Sequence, residues 1–347
     1  MRRLADIAAR LRQRLDGQLL CLLGAALLLL ITLSRPSAIL QRDVFRFVFV
    51  FDITQSMNVV DLVHEDTPVS RLEFAKRAVR ESLQRLPCHS EAGLAVFTEH
   101  RTFLLFAPVE VCGNFSAIST MLDRISWRMA WAARSEIAKG LYSSLKVTQE
   151  LGKGTRVVFL TDGHEAPPLH TEFRPRFQGT PEDTGGAIVG IGGSIPAPIP
   201  KLDDRDKPLG YWTANEVLQV DTYSLGRGAN AEDALVGVDM SNLEERIESG
   251  TEHLSLLKAG HLKALAEETA LHYFNAKKPK DLGDWLKSKR FANTERVLTD
   301  LRWIPGTLAA LLLALAYIRL PTRHHSEARV SSMTARIAST TTSGVRS

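Results

Sequence analysis

The run Phe47-Val48-Phe49-Val50-Phe51 is apolar at every position and passes directly into Asp52-Ile53-Thr54-Gln55-Ser56. A strand with one wet face alternates polar and apolar residues, so an unbroken run reads as a strand covered on both faces. That restricts the chain to a mostly parallel sheet with helices on either side. A second run, Val157-Val158-Phe159-Leu160, ends in Thr161-Asp162-Gly163. In open α/β sheets, ligands sit in the crevice beyond the carboxyl ends of the strands, where these two ends would deliver oxygen donors together.

The rest of the pattern alternates as such a sheet requires. Residues 44–52 read as the central strand. Ser70 and Glu73 form a capping box ahead of a helix, along which Leu72, Ala75, Val79, Leu83 and Leu86 recur at helical spacing and belong to the core. Residues 93–97 and 102–106 form a hairpin with Glu99-His100 at its tip. Helices are expected near 114–125 and 136–150, and strands at 156–161 and 187–191. A helix at 261–270, a strand at 271–274 and a helix at 280–289 complete a doubly wound, mostly parallel α/β fold. Gly190-x-Gly192 leaves its strand into prolines, which is not how a dinucleotide loop opens a helix.

Hydroxyls and carboxylates are hard donors that suit Mg²⁺, and the chain has no Cys/His cluster with zinc spacing. Taken singly, each strand end also fits an ordinary strand-to-loop turn, where Asp and Gly are common. No Gly-x-Ser-x-Gly elbow, P-loop or His-Glu-x-x-His pair is present, so nothing points to an enzyme. His164 and Glu165 are expected to be exposed loop residues beside the site.

Asp-x-Thr-x-Ser after a strand and a later Leu-Thr-Asp-Gly resemble the metal-ion-dependent adhesion site of von Willebrand factor A domains. The segments 70–77, 93–97 and 135–141 are similar in order and spacing to bacterial members associated with MoxR-type ATPases. The likeness covers about residues 46–286 and is weak between 193 and 254. It implies that Thr54 and Ser56 bind Mg²⁺ (or Ca²⁺ or Mn²⁺) directly, with Ser135 in the place of a threonine. It also implies that Asp52 and Asp162 bind the metal directly or through water. Thr54 stands where serine is usual, and its methyl group restricts χ1.

The resemblance further implies that a protein client's Asp or Glu completes the metal shell. Other von Willebrand factor A proteins and a MoxR-type ATPase are the further partners it suggests. The nearest likeness is to accessory factors that mature methanol dehydrogenase or insert its metal. The alternatives are a Bat-type envelope stress or aerotolerance protein and a chelatase-like subunit working with an AAA+ ATPase.

Two apolar stretches, residues 17–34 and 303–318, carry no charge and lie near the short end of a membrane span. Five arginines precede the first and five follow the second, which keeps both flanks cytoplasmic. The expected layout is a basic segment at 1–16, a span at 17–34 and a von Willebrand factor A domain at 44–290 with an insertion at 193–254. A second span at 303–318 and a disordered tail at 319–347 follow. For a bacterial inner membrane this makes the main domain periplasmic. The flanks also account for the net charge of +4, so no nucleic-acid footprint remains. Cys88 and Cys112 flank the hairpin in a register that permits a disulfide, which an oxidising compartment would allow; two free thiols are the alternative.

Overall fold

The computed structural model describes residues 2–168, 174–180, 185–217 and 251–317. Much of the inserted segment, residue 318 and the tail lie outside them. The chain divides into two compact units, residues 41–297 and residues 1–40 with those from 298 onward.

The larger unit is built on a six-stranded sheet. Its strands are β2 (Arg46–Asp52), β5 (Glu91–Thr98), β6 (Arg101–Glu110), β7 (Arg156–Thr161), β8 (Gly186–Gly190) and β13 (His272–Asn275). They run in the order β13-β8-β7-β2-β5-β6, all parallel except the edge strand β6. Numbered within the sheet alone this is 3-2-1-4-5-6 read from β6, the doubly wound order whose switch point falls between β2 and β7.

The side chains of β2 divide by parity. Phe47, Phe49 and Phe51 pack with α2 (Arg71–Arg85), α3 (Val111–Arg124) and α6 (Pro279–Leu286), whereas Val48 and Val50 pack with α4 (Ile137–Glu150) and α5 (Ala259–Glu268). Two helix layers thus account for the unbroken apolar run. Ser70 caps α2 by accepting from the Glu73 backbone N–H, and Leu72, Ala75, Val79, Leu83 and Leu86 are all buried. The hairpin turns at Glu99-His100, and its register brings Cys88 and Cys112 to a Cα separation of 5.3 Å, where a disulfide joins them.

The central strand starts two residues later than expected. Val44 belongs to β1 (Ser37–Val44), which pairs with β14 (Asn293–Asp300) in a separate ribbon, because the backbone of Phe45 turns aside to bond Ser90 and Glu91. Short pairs also escape the sequence pattern: β3 (Leu62–His64) with β4 (Thr67–Val69), β9 (Ala197–Pro198) with β12 (Leu254–Ser255), and β10 (Pro200–Leu202) with β11 (Pro208–Tyr211). Each is too short for a hydrophobic period.

In the smaller unit, α1 (Arg2–Leu33) packs against α7 (Trp303–Tyr317), with Ala25 and Ala309 buried and Gly24 facing Leu312. Leu20, Leu23, Leu27, Leu30, Leu311 and Leu315 remain exposed. Among the described residues, no helix is long and apolar enough to cross a membrane.

Candidate metal centre

Both site loops leave the sheet on either side of the switch point. Beyond β2, the backbone N–H and Oγ1–H of Thr54 donate to Asp52 Oδ1 at 2.9 and 2.7 Å. A single turn at Gln55–Asn58 then folds Ser56 back, so that its Oγ lies 3.3 Å from Thr54 Oγ1 and 3.3 Å from Asp162 Oδ1. From β7, Thr161 Oγ1–H donates across the strands to Asp52 Oδ2 at 2.6 Å, and His164 N–H donates to Asp162 Oδ1 at 2.9 Å. Gly163 has φ +78°, and a Cβ there would meet Leu262 Cγ at 2.8 Å, so glycine is required for α5 to approach this loop.

Ser135 reaches the same face through backbone pairing. Its N–H and C=O exchange bonds with Ala166, and the next N–H, that of Glu136, donates to Glu99 O. Its Oγ is buried with no hydrogen-bond partner among the described residues. Thr54, Ser56 and Ser135 line one cavity of about 150 Å³. The structure therefore assembles all five oxygen-bearing residues singled out in the sequence, with the carboxylates of Asp52 and Asp162 bonded to the first-loop hydroxyls.

Asp52 and Asp162 are fully buried. Burial and then the neighbouring charge of Asp162 raise the pKa of Asp52 from 3.8 to about 7, against the opposing hydrogen bonds from Thr161 and Thr54. A buried, all-oxygen donor set with excess negative charge and an unpartnered hydroxyl fits a small hard cation. The sign of the linkage follows. The folded protein holds a proton on Asp52 that the unfolded chain releases between pH 3.8 and about 7. Its contribution to metal-free stability is thus full below that window and is lost as pH rises through it. A cation favours the carboxylate, so the rise in Tm caused by saturating Mg²⁺ should be larger at about pH 8 than at about pH 5. Thermal melts giving equal shifts at both pH values would count against a cation on Asp52.

A buried arginine, unmarked in the sequence by any motif, organises this centre. Arg71, at the first position of α2, is completely buried. Its Nη1 donates to Asp162 Oδ2 at 2.5 Å and to Ser255 Oγ at 2.6 Å, while Nη2 donates to Asp61 Oδ2 at 2.6 Å and to Ser255 O at 3.2 Å. Ser255 Oγ–H also donates to Asp162 Oδ2 at 2.9 Å, and Gly193 N–H donates to Asp61 Oδ2 at 2.8 Å. A Cβ on Gly192, whose φ is +141°, would lie 2.9 Å from Arg71 Nε. Gly192 and Gly193 thus pack on the guanidinium network, while Gly190 faces Tyr273 and Leu257. The one legible hint was a cation at a helix N-terminus, where the macrodipole disfavours it.

His164 and Glu165 correct an expectation: both are buried rather than exposed. Glu165 accepts from the backbone N–H groups of Ile137 and Ala138, capping α4, and lies 3.1 Å from His261 Nε2. It is drawn inside because the first turn of α4 needs an acceptor. Parts of the inserted segment also reach this face, where Ile199, Trp212, Glu216 and Glu252 complete the cavity wall.

No protein-family model matches the sequence, and neither does any curated protein. Among solved structures, the chain is similar to BatB from Bacteroides thetaiotaomicron, at 14% identity over 70% of this chain and 95% of that one, with a TM-score of 0.43. It is also similar to an aerotolerance-related membrane protein from Bacteroides fragilis, at 15% identity over 71% and 98%, with a TM-score of 0.43. A von Willebrand factor type A protein from Catenulispora acidiphila matches at 9% identity over 77% and 43%, with a TM-score of 0.34. These likenesses transfer no residue roles, and the doubly wound α/β architecture rests on the strand order of the chain itself.

Proposed function

We propose that this chain is a non-enzymatic recognition protein that engages a protein client through a divalent cation held at the switch point of its sheet. The observation that carries this reading is the convergence of Thr54, Ser56 and Ser135 on one cavity, with the buried carboxylate of Asp52 bonded to Thr54 and that of Asp162 to Ser56. Those five residues would hold Mg²⁺, or Ca²⁺ or Mn²⁺ in its place. When bound, the cation supplies a positive charge with an open position for a carboxylate of the client. Calorimetric titration of the full chain with Mg²⁺, after removal of metal by EDTA, tests the reading, and an absence of binding ends it.

For the cellular role we place the Bat-type envelope function first, in keeping with the names of the two Bacteroides proteins. Maturation of methanol dehydrogenase and a chelatase-like role beside a MoxR-type ATPase rest on sequence likeness alone. Gene neighbourhood separates the three.

Attachment to a bacterial inner membrane, with the main domain periplasmic, is part of the proposal. It is supported by the arginine flanks and by the exposed leucines around α1 and α7, an apolar exterior that is costly in water. A periplasm-active reporter fused after Gly163 should be active and one fused after Arg346 inactive. Activity of the C-terminal fusion would refute two spans.

A further inference from the structure

The cavity above the three hydroxyls contains more than a cation needs. Ser135 Oγ, His164 Nδ1 and Nε2, and Trp212 Nε1 are all buried without a hydrogen-bond partner among the described residues, and all three residues line this one cavity. Buried polar atoms are nearly always paired, and an indole N–H can only donate. Their convergence points to a missing acceptor. His164 Nε2 lies 3.6 Å from Glu252 Oε2, close enough for an ion pair when the imidazole is protonated but beyond hydrogen-bond reach.

Trp212 is held firmly. Its backbone N–H donates to Ile199 O at 3.0 Å, and Lys201 Nζ lies 4.9 Å from its ring centroid while pairing with Glu216 at 2.5 Å. Ile199 N–H in turn donates to His253 O at 3.1 Å, which ties the outgoing and returning arms of the inserted segment together. Trp212 is therefore a fixed wall carrying a donor. Ala133, Ala166, Pro167, Ile199 and Val217 form the apolar part of the wall, beside the polar Gln55, Arg134, Glu216 and Glu252, and about 150 Å³ admits one short carbon chain with its head group.

We propose that Ile199 and Trp212 of the inserted segment narrow the metal face into a pocket for a single carboxylate, in which Trp212 and His164 are specificity-determining residues. One carboxylate oxygen meets the cation, and the other accepts from Trp212 Nε1–H and from the His164 imidazole. The apolar walls cover the aliphatic carbons. This rests on the cation reading above and sharpens it, because a flat acidic surface would not fit; the carboxylate must enter on a protruding side chain or as a small free acid.

The test uses the full chain with Mn²⁺, whose effect on water-proton relaxation first reports metal binding and then displacement of metal-bound water by an added carboxylate. Butyrate and a short peptide bearing a single glutamate are the two probes. Either or both displacing water supports the pocket, and the probe that works identifies the source. Trp212→Phe, which keeps the ring and deletes the donor, should weaken the effective probe about tenfold. His164→Gln should retain part of the binding that His164→Ala loses. Mn²⁺ binding with neither probe acting, or Trp212→Phe binding as the wild type does, overturns the pocket and leaves the cation reading intact. No Mn²⁺ binding overturns both.

Discussion

Replacing Asp52 with asparagine is expected to abolish Mg²⁺ and Mn²⁺ binding while leaving the fold in place. Asparagine keeps the shape and an acceptor oxygen for Thr54, whose N–H and Oγ1–H both bond Asp52 Oδ1. It removes one of two fully buried carboxylates whose mutual repulsion contributes to the raised pKa of Asp52, so the metal-free variant should be at least as stable as the parent at neutral pH. Losing a supporting group outside the ligand shell typically costs 10–100-fold in metal affinity, so losing a charged ligand should cost at least roughly 100-fold. Calorimetry on both proteins measures this, and equal affinities would remove Asp52 from the site. Circular dichroism on the same samples confirms that the comparison is between folded proteins.

Arg71→Met should be the most destabilising single change at this end of the sheet. The guanidinium is wholly buried and pairs with Asp61 and Asp162, so its removal strands two carboxylates beside each other. Breaking a buried ion pair from one side costs about 3–5 kcal/mol, and here the same side chain also anchors Ser255. Urea unfolding should show the loss, and saturating Mg²⁺ should recover part of it by returning a countercharge to Asp162. Arg71→Lys should fall between, because an ammonium cannot span both carboxylates as the planar fork does. A methionine variant as stable as the parent would mean that the network contributes no net stability.

The residues that sequence alone could place are those whose chemistry is written locally. The apolar run of β2 requires cover on both faces, and the helical stripe from Leu72 to Leu86 supplies part of it. Asp52, Thr54 and Ser56 lie within five residues of one another, and Asp162 follows a later apolar run, so a strand-end reading finds them without knowledge of the fold. The hairpin around Glu99-His100 was legible for the same reason: two strands joined by two residues have little freedom of register.

Other features depend on residues far apart in the chain and were decided by the tertiary structure. Arg71 and Ser255 are 184 positions apart, and neither carries a local mark of their contact. The burial of Glu165 follows from the unpaired N–H groups of α4, which reach it only once that helix has packed. Trp212 enters the cavity through short pairings, too brief for any hydrophobic period, that hold its stretch of the chain beside the site. Periodicity and strand-end chemistry thus determined the sheet and its oxygen donors, since both act over a few residues. The buried charge balance and the roof of the pocket were settled only in three dimensions, because desolvation and long-range contacts exist only after the chain has closed on itself.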